Sequence, residues 1–442
     1  MSTYSRDPIW VRAIRGGGWS DQSVFSAVKV MNAAWLTVLS SLALTLIGIY
    51  AIDIAEGSVA TTGSTSHPGM AAEALKQMVF LIVGLMACVV IALPHYKIVG
   101  MFSVLMYLVG LGLLVFLLLP GVPSWLVTPR NGAKAWINMG VADFQPSEVM
   151  KIAFVLLVAR YMRYRSAHRQ LRGLIVPGII AAIPVGLITL QPDLGTASLF
   201  VPALFAMLIA AGARLRHLTL IVVCAAMAAP AAYPLLRPHQ KARIVGIVKQ
   251  FRGDDSGSHG INYQSTRAQT LIGAGQITGI QDPAARALVR YNSLPEDHND
   301  MVFAVIVDRF GLIGGAAVLG LYAMWIGGAL LVAGSCRDPL GRMIAVGIPA
   351  FIAAQVVINV GMNLGVLPII GITLPFVSYG GSSLLTCWVM TGLIVNVALH
   401  RPRPPYRASF EYADDDGPPS NHLRPTKPYG RSIGFSGRAI TR

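Results

Sequence analysis

Apolar runs recur along almost the whole chain, separated by short polar turns. A membrane-crossing helix needs about 20 apolar residues and satisfies every backbone polar group within itself. Ten such runs stand out, at about 31–53, 75–93, 98–120, 146–163, 173–190, 194–212, 217–236, 301–333, 342–364 and 378–399. The pattern predicts an all-α, polytopic integral membrane protein with about ten transmembrane helices. The run at 301–333 is longer than a bilayer requires, which predicts a tilt or a break. The stretch at 237–300 is the longest polar interruption, and amphipathic patterning near 240–251 and 263–275 predicts short surface helices within it.

The ends differ from the middle. Residues 1–30 are polar and lack the apolar core of a signal peptide, so the first run serves as its own insertion signal. From residue 401 the chain is rich in Pro, Arg, Ser and Gly and reads as a disordered, basic tail. The expected organisation is an N-terminal segment 1–30, a ten-span membrane domain 31–400 and a tail 401–442.

Composition agrees with lipid as the solvent. Of the 442 residues, 54% are hydrophobic and 12% charged, where soluble domains carry about 25% charged residues. The mean hydropathy is +0.60. The net charge of +15 is spread over short loops rather than a compact basic domain, so nucleic acid is not an expected partner. Lys97, Arg163, Arg165, Arg169, Arg172, Arg214, Arg216, Arg337 and Arg342 fall on the side of the N-terminal Arg6, Arg12, Arg15 and Lys29. The opposite short loops hold only Arg130 and Lys134. The excess of Lys and Arg on one side places both termini in the cytoplasm and the 121–147 and 237–300 loops outside. Cys88, Cys224, Cys336 and Cys387 show neither metal-ligand spacing nor a disulfide framework.

Chemistry concentrates in four stretches. In LPEDHNDMVFAV, residues 294–305, Asp300 stands where the long loop meets the eighth span, close to His298. Its position alone favours a helix cap. In NGAKAWINMGVADFQPSEVMKIAF, residues 131–154, Glu148 and Lys151 fall three apart on one helical face and can pair. Ionisable groups within a membrane segment are costly and point to function, with a structural ion pair as the equal alternative. Trp136 suits an interfacial anchor. In QPDLGTASLF, residues 191–200, Asp193 suits the cap of the sixth span. In NVGMNLGVLPIIGITLPFVSYGGSSLL, residues 359–385, Asn359 and Asn363 share a helical face and an uncharged, glycine-punctuated loop follows. That loop reads either as a re-entrant segment lining a site or as a tight connection.

The last stretch resembles the signature of the SEDS family, which comprises FtsW, RodA and SpoVE. The resemblance continues in GAKAWINMG, QPSEVMK, QPDLGTA, HQKARI, NYQSTRAQTLIGAGQITG and LPEDHNDMVFAV, all in family order, over roughly residues 75–400. It implies a ten-span enzyme of the bacterial cytoplasmic membrane that polymerises lipid II into peptidoglycan glycan strands on the outer face. It implies Asp300 as the catalytic residue. The substrate-binding set it implies is Lys134, Trp136, Glu148, Lys151, Asp193, Lys241, Arg243, His298, Ser378 and Tyr379. A diphosphate leaving group needs charge neutralisation rather than a second acid. Lys134, Lys241 and Arg243 are the candidates for this, and no metal-ligand cluster shows, although a divalent cation is left open. The implied partners are a class B penicillin-binding protein and other membrane proteins of the division or elongation machinery. Thr373 and the long tail lean toward FtsW and SpoVE. The chain departs from the family pattern at Ala135, Arg267, Gln276, Asn299 and Arg309, the last a charge reversal beside Asp308. The competing readings are a flippase of lipid-linked precursors and a non-enzymatic scaffold for cell-wall assembly.

Overall fold

The computed structural model describes residues 21–57, 70–123, 125–127, 133–140, 143–164, 170–232, 241, 245, 263–292 and 299–401, with side chains excepted at 21–32, 225 and 228–232. In chain order the elements are α1 (Asp21–Gly57), α2 (Ala72–Ala92), α3 (Tyr96–Met101), α4 (Ser103–Leu118), β1 (Ile137–Asn138), β2 (Asp143–Phe144), α5 (Pro146–Tyr164), α6 (Ile175–Leu190), α7 (Leu194–Ala210), α8 (Leu215–Ala232), α9 (Tyr263–Gly275), α10 (Asp282–Asn292), α11 (Val302–Ser335), α12 (Pro339–Asn363) and α13 (Gly381–His400). The protein is an all-α polytopic membrane protein, and ten of these helices fall on the ten apolar runs. Among the described residues, six helices are long and apolar enough to cross a membrane: most of α1, α2, α6 with its preceding 3-10 turn, α11, α12 and α13. Helices α4, α7 and the first part of α8 are shorter apolar helices. Helix α5 carries Glu148, Lys151, Arg160 and Arg163 on an otherwise apolar body.

The helices bury one face and leave the other apolar, as lipid-facing helices do. In α2 the buried stripe is Ala74, Gln77, Leu81, Gly84, Cys88 and Ala92. The rest of α2 exposes Leu75, Val79, Ile82, Met86, Val89 and Val90. Small residues let backbones approach. A Cβ on Gly84 would lie 2.7 Å from the Trp388 ring, and one on Gly392 would lie 2.6 Å from the carbonyl oxygen of Cys88, so α2 and α13 pack closely. At the centre, the rings of Phe154 (α5), Phe200 (α7) and Phe351 (α12) meet edge to face at 5.2 to 5.9 Å. Trp325 of α11 donates to Ser41 Oγ of α1 at 2.8 Å, which leaves its buried N–H satisfied.

Helix α11 breaks as its length predicts. Gly311 has φ 69° and ψ −169°, outside helical space. The freed N–H groups of Leu312 and Ile313 donate instead to the carbonyls of Gln276 and Ile277, at 2.8 and 3.2 Å. Ile280 N–H donates to Asp308 O at 3.0 Å. The 276–280 strap of the long loop is thus stitched into the break. Only glycine fits, because a Cβ on Gly311 would lie 2.2 Å from Ile277 O. The expected surface helix at 263–275 is present as α9, and α10 is an additional one. The other expected helix, at 240–251, falls outside the described residues except for 241 and 245, which are helical. The tail, residues 402–442, also lies outside them.

Candidate functional site

Helix α12 presents Gln355, Asn359 and Asn363 four residues apart, so all three lie along one face. Their relative exposures are 2%, 0% and 0%. Buried amides must find partners, and these find them largely off the helix. Asn359 Nδ2 donates to the carbonyls of Asp300 and Ile372, each at 2.7 Å. Asn363 Nδ2 donates to Asp300 O at 3.1 Å, and its Oδ1 accepts Ala304 N–H at 3.2 Å. Gln355 Nε2 donates to Thr373 O at 2.9 Å, and its Oε1 accepts from Lys151 Nζ at 3.4 Å.

The 364–380 segment dips into the bundle, which favours the re-entrant reading. Leu374, Phe376 and Val377 are buried. Phe376 has φ 67°, rare for a side-chain-bearing residue. It is gripped between the Trp325 and Trp388 rings, and Tyr322 Oη donates to Pro375 O. A Cβ on Gly48 would lie 2.3 Å from Val377 O, so α1 needs glycine there. Gln77 of α2 braces the following turn, donating to Ser378 O at 3.0 Å and accepting from Gly380 N–H at 3.3 Å. The Ser378 hydroxyl donates to Asn299 O and accepts Leu374 N–H at 2.7 Å.

Asp300 is buried where the outer loop runs into α11. The sequence favours it as the cap of that helix, and the structure corrects this. The N-cap is Met301, which makes no side-chain cap bond. The first-turn N–H of Ala304 is shared between Met301 O at 3.0 Å and Asn363 Oδ1 of α12 at 3.2 Å. Asp300 Oδ2 faces Gly371, where a Cβ would lie 3.9 Å away.

On the far side of the dipping segment, Glu148 and Lys151 pair as their spacing predicts, at 2.9 Å and both buried. Glu148 Oε2 is buried without a hydrogen bond among the described residues. Asp193 caps α7 by accepting Thr196 N–H at 3.0 Å, and it also accepts from Gln145 Nε2 at 3.3 Å. Gln145 N–H donates to Ser382 Oγ at 3.2 Å. Polar contacts therefore run from Asp193 through Gln145 to the start of α13. A second set runs from Glu148 through Lys151 and Gln355 to Thr373. Lys134 is exposed, while Trp136, Tyr379 and Lys241 are half-buried. Arg243 and His298 lie outside the described residues. Among the described residues, no three His, Cys, Asp or Glu gather as metal ligands. Gln145, Gln355 and Gln77 are the connecting residues that the sequence reading passed over. Their signal is an uncharged amide inside or beside an apolar run.

The FtsW/RodA/SpoVE family, described as cell cycle protein, matches residues 32–403. The chain belongs to this family. It is 31% identical over 329 residues to the probable peptidoglycan glycosyltransferase FtsW of Coxiella burnetii, covering 73% of this chain and 86% of that protein. It is 32% identical over 327 residues to stage V sporulation protein E of Bacillus subtilis, covering 74% and 86%. Among solved structures, a peptidoglycan synthase complex that coordinates polymerization and crosslinking matches with a TM-score of 0.67 and 27% identity, covering 84% of this chain and 98% of that one.

Placed on this SEDS fold, the departures from the family pattern have local partners. Gln276, where the family commonly has Gly, keeps a left-handed φ of 47°. Arg267 donates to Asn292 Oδ1 at 3.2 Å, and Asn292 donates back to Arg267 O at 2.9 Å. Ala135 is buried. Asn299 offers its carbonyl to Ser378. Arg309 lies 3.6 Å from Asp282 of α10 and donates to Ile280 O at 3.0 Å. Asp282 also pairs with Arg286 at 3.1 Å, and Arg286 with Asp53 of α1 at 2.7 Å. Burial pushes the Asp282 carboxyl up, but hydrogen bonds from Arg286 and Tyr50 and the nearby Arg286 and Arg309 charges outweigh it and hold it below its ordinary range. Asp308 is fully buried, and neither carboxylate oxygen has a hydrogen-bond partner among the described residues.

Proposed function

We propose that this chain is a peptidoglycan glycosyltransferase that polymerises lipid II on the outer face of the bacterial cytoplasmic membrane. The reading is carried by one observation: Asp300 is buried, its main-chain carbonyl is held by Asn359 and Asn363, and its carboxylate faces the glycine at 371 of a re-entrant segment. Its relatives are named for this activity. The membrane domain is residues 31–400, with both termini cytoplasmic, which puts the 237–300 loop and Asp300 outside.

In this reading Asp300 takes the proton from the acceptor sugar hydroxyl. The acceptor oxygen then bonds to the anomeric carbon of the donor, and the bond from that carbon to the diphosphate oxygen breaks. The diphosphate leaves with the electron pair. Lys134, Lys241 and Arg243 neutralise it, so no second carboxylic acid is needed. Glu148, Lys151 and Asp193 shape the donor side, and Trp136, His298, Ser378 and Tyr379 complete the substrate surface. A class B penicillin-binding protein within the division or elongation machinery supplies the crosslinking partner, as the matched synthase complex suggests.

The test is glycan-strand formation from purified lipid II by the reconstituted protein and by Asp300→Asn, with and without a cognate class B partner. Loss of polymer in the variant at unchanged melting temperature supports the base. Equal polymer from both removes Asp300 from the mechanism. No polymer from either, with the partner bound, favours a scaffold or a precursor flippase.

A further inference from the structure

We propose that Gln77 of α2 is a positioning residue that acts through Ser378 to fix the backbone at Asp300; the inference rests on the reading of Asp300 given above. Gln77 is the one amide in the buried stripe of α2 and is 0% exposed. Burying an amide is costly unless its donor and its acceptor both find partners. Here both partners are main-chain atoms of a single turn. Nε2 donates to Ser378 O at 3.0 Å, and Oε1 accepts Gly380 N–H at 3.3 Å. One planar group thus holds an acceptor and a donor two residues apart, which sets where the turn sits and how it is rotated.

The same face of α2 supports the turn twice more. Gln77, Phe80 and Gly84 stand at i, i+3 and i+7. A Cβ on Gly381 would lie 2.8 Å from the Phe80 ring. The Trp388 ring, which packs on Gly84, also packs on Phe376. The re-entrant segment is therefore seated on α2 as well as on α12.

Ser378 passes that position on. Its N–H donates to Leu374 O at 3.0 Å and its hydroxyl accepts Leu374 N–H at 2.7 Å, so the 374–378 turn is closed on itself. The hydroxyl also donates to Asn299 O. Asn359 and Asn363 hold the next carbonyl, that of Asp300, from α12. These two carbonyls belong to the peptide planes on either side of the Asp300 Cα. Each plane is rigid, so fixing both fixes φ and ψ of Asp300 and the direction of its Cα–Cβ bond. The second plane is referenced to α12. The first is referenced to Ser378, and so to Gln77. A displacement of about 1 Å at a reacting group can cost about a hundredfold in rate, which gives a buried amide on a lipid-facing helix its consequence for the chemistry.

The experiment measures kcat and KM for polymerisation of purified lipid II by the full chain with Gln77→Met, Ser378→Ala, the double variant and Asp300→Asn. Rates are expressed per molecule that binds lipid II, and melting temperatures are taken in the same detergent. Hydrogen exchange of the peptide 299–304 is followed in parallel. Methionine matches the length of glutamine and makes neither bond. The expected result for Gln77→Met is a fall in kcat of about tenfold with KM little changed, together with faster exchange in 299–304. The fall should be smaller in the Ser378→Ala background, because the two residues act in series. A merely structural role lowers the melting temperature and the competent fraction but leaves kcat per competent molecule and the exchange of 299–304 in place, and that overturns the proposal. Additive losses of kcat overturn it as well. Gln77→Asn, which keeps the amide on a shorter stem, serves if Gln77→Met does not fold, with the same expectations. If Asp300→Asn keeps the wild-type rate while 299–304 still responds to Gln77→Met, the base reading fails and the coupling stands. If Asp300→Asn is inactive and Gln77→Met keeps the wild-type kcat, only the positioning role is lost.

Discussion

Lys151 Nζ lies 2.9 Å from Glu148 Oε1 with both side chains at most 5% exposed. The pair also touches the ladder on α12 through Gln355. Removing one partner of a buried pair leaves the other charge uncompensated and costs about 3–5 kcal/mol. Lys151→Met and Glu148→Gln are each expected to lower thermal stability by that order. The double variant should lose less than the sum, because no orphan charge remains. Melting curves of the three proteins in detergent check this, and additive losses would separate the two residues.

Gly371 has φ 67° and faces the Asp300 carboxylate. Alanine there pays about 1–2 kcal/mol of left-handed backbone strain and brings its Cβ to ordinary contact distance. Valine adds methyl groups toward Oδ2. Polymer yield should therefore fall more from Gly371→Ala to Gly371→Val than the melting temperature does. Parallel losses of both would assign the glycine to folding alone.

Arg309→Glu restores an acid at a position where the SEDS pattern commonly carries one, yet it should destabilise this chain. It sets a second negative charge where a guanidinium now lies 3.6 Å from Asp282. It also removes the donor to Ile280 O. Adding Asp282→Asn should recover part of the loss, as coupled neighbours do. A double-mutant cycle on melting temperature measures the coupling, and a value near zero would break the link.

Asp282 supplies a pH dependence whose sign is fixed. Its folded carboxyl lies below its ordinary range, so its contribution is complete above the unfolded value of about 3.9. It is lost as pH falls through the depressed folded value. Hydrogen-exchange protection of α10 should stay level from neutral pH down to about 4 and fall only below that. Asp282→Asn should flatten the curve, and a transition near neutrality would implicate another group.

The apolar helices were legible because lipid demands uninterrupted apolar length, and length survives errors of a few residues at each end. The break in α11 was legible from excess length, and Glu148 with Lys151 from helical spacing. The face shared by Asn359 and Asn363 was legible too, but its target was not, since Asp300 lies in the turn before α11, far away in sequence, and the bonds go to its main chain. The capping role expected of Asp300 failed because α11 starts with Met301 as its N-cap, and a boundary one residue away cannot be read from local sequence. Gln145 and Gln355 escaped notice because an amide carries no charge to stand out in an apolar run. Arg309 read as an anomaly while Asp282, its partner, lay in a separate loop helix.

The stitched break in α11 bears on how the protein is made. A helix interrupted at Gly311 arrives in the bilayer with Leu312 and Ile313 N–H groups that hydrocarbon cannot satisfy. Their acceptors, Gln276 and Ile277, come earlier in the chain. Synthesis therefore delivers the acceptors first, and the eighth span meets its patch as it emerges. A circular permutant that moved residues 276–280 behind α11 would reverse that order and expose the gap during insertion.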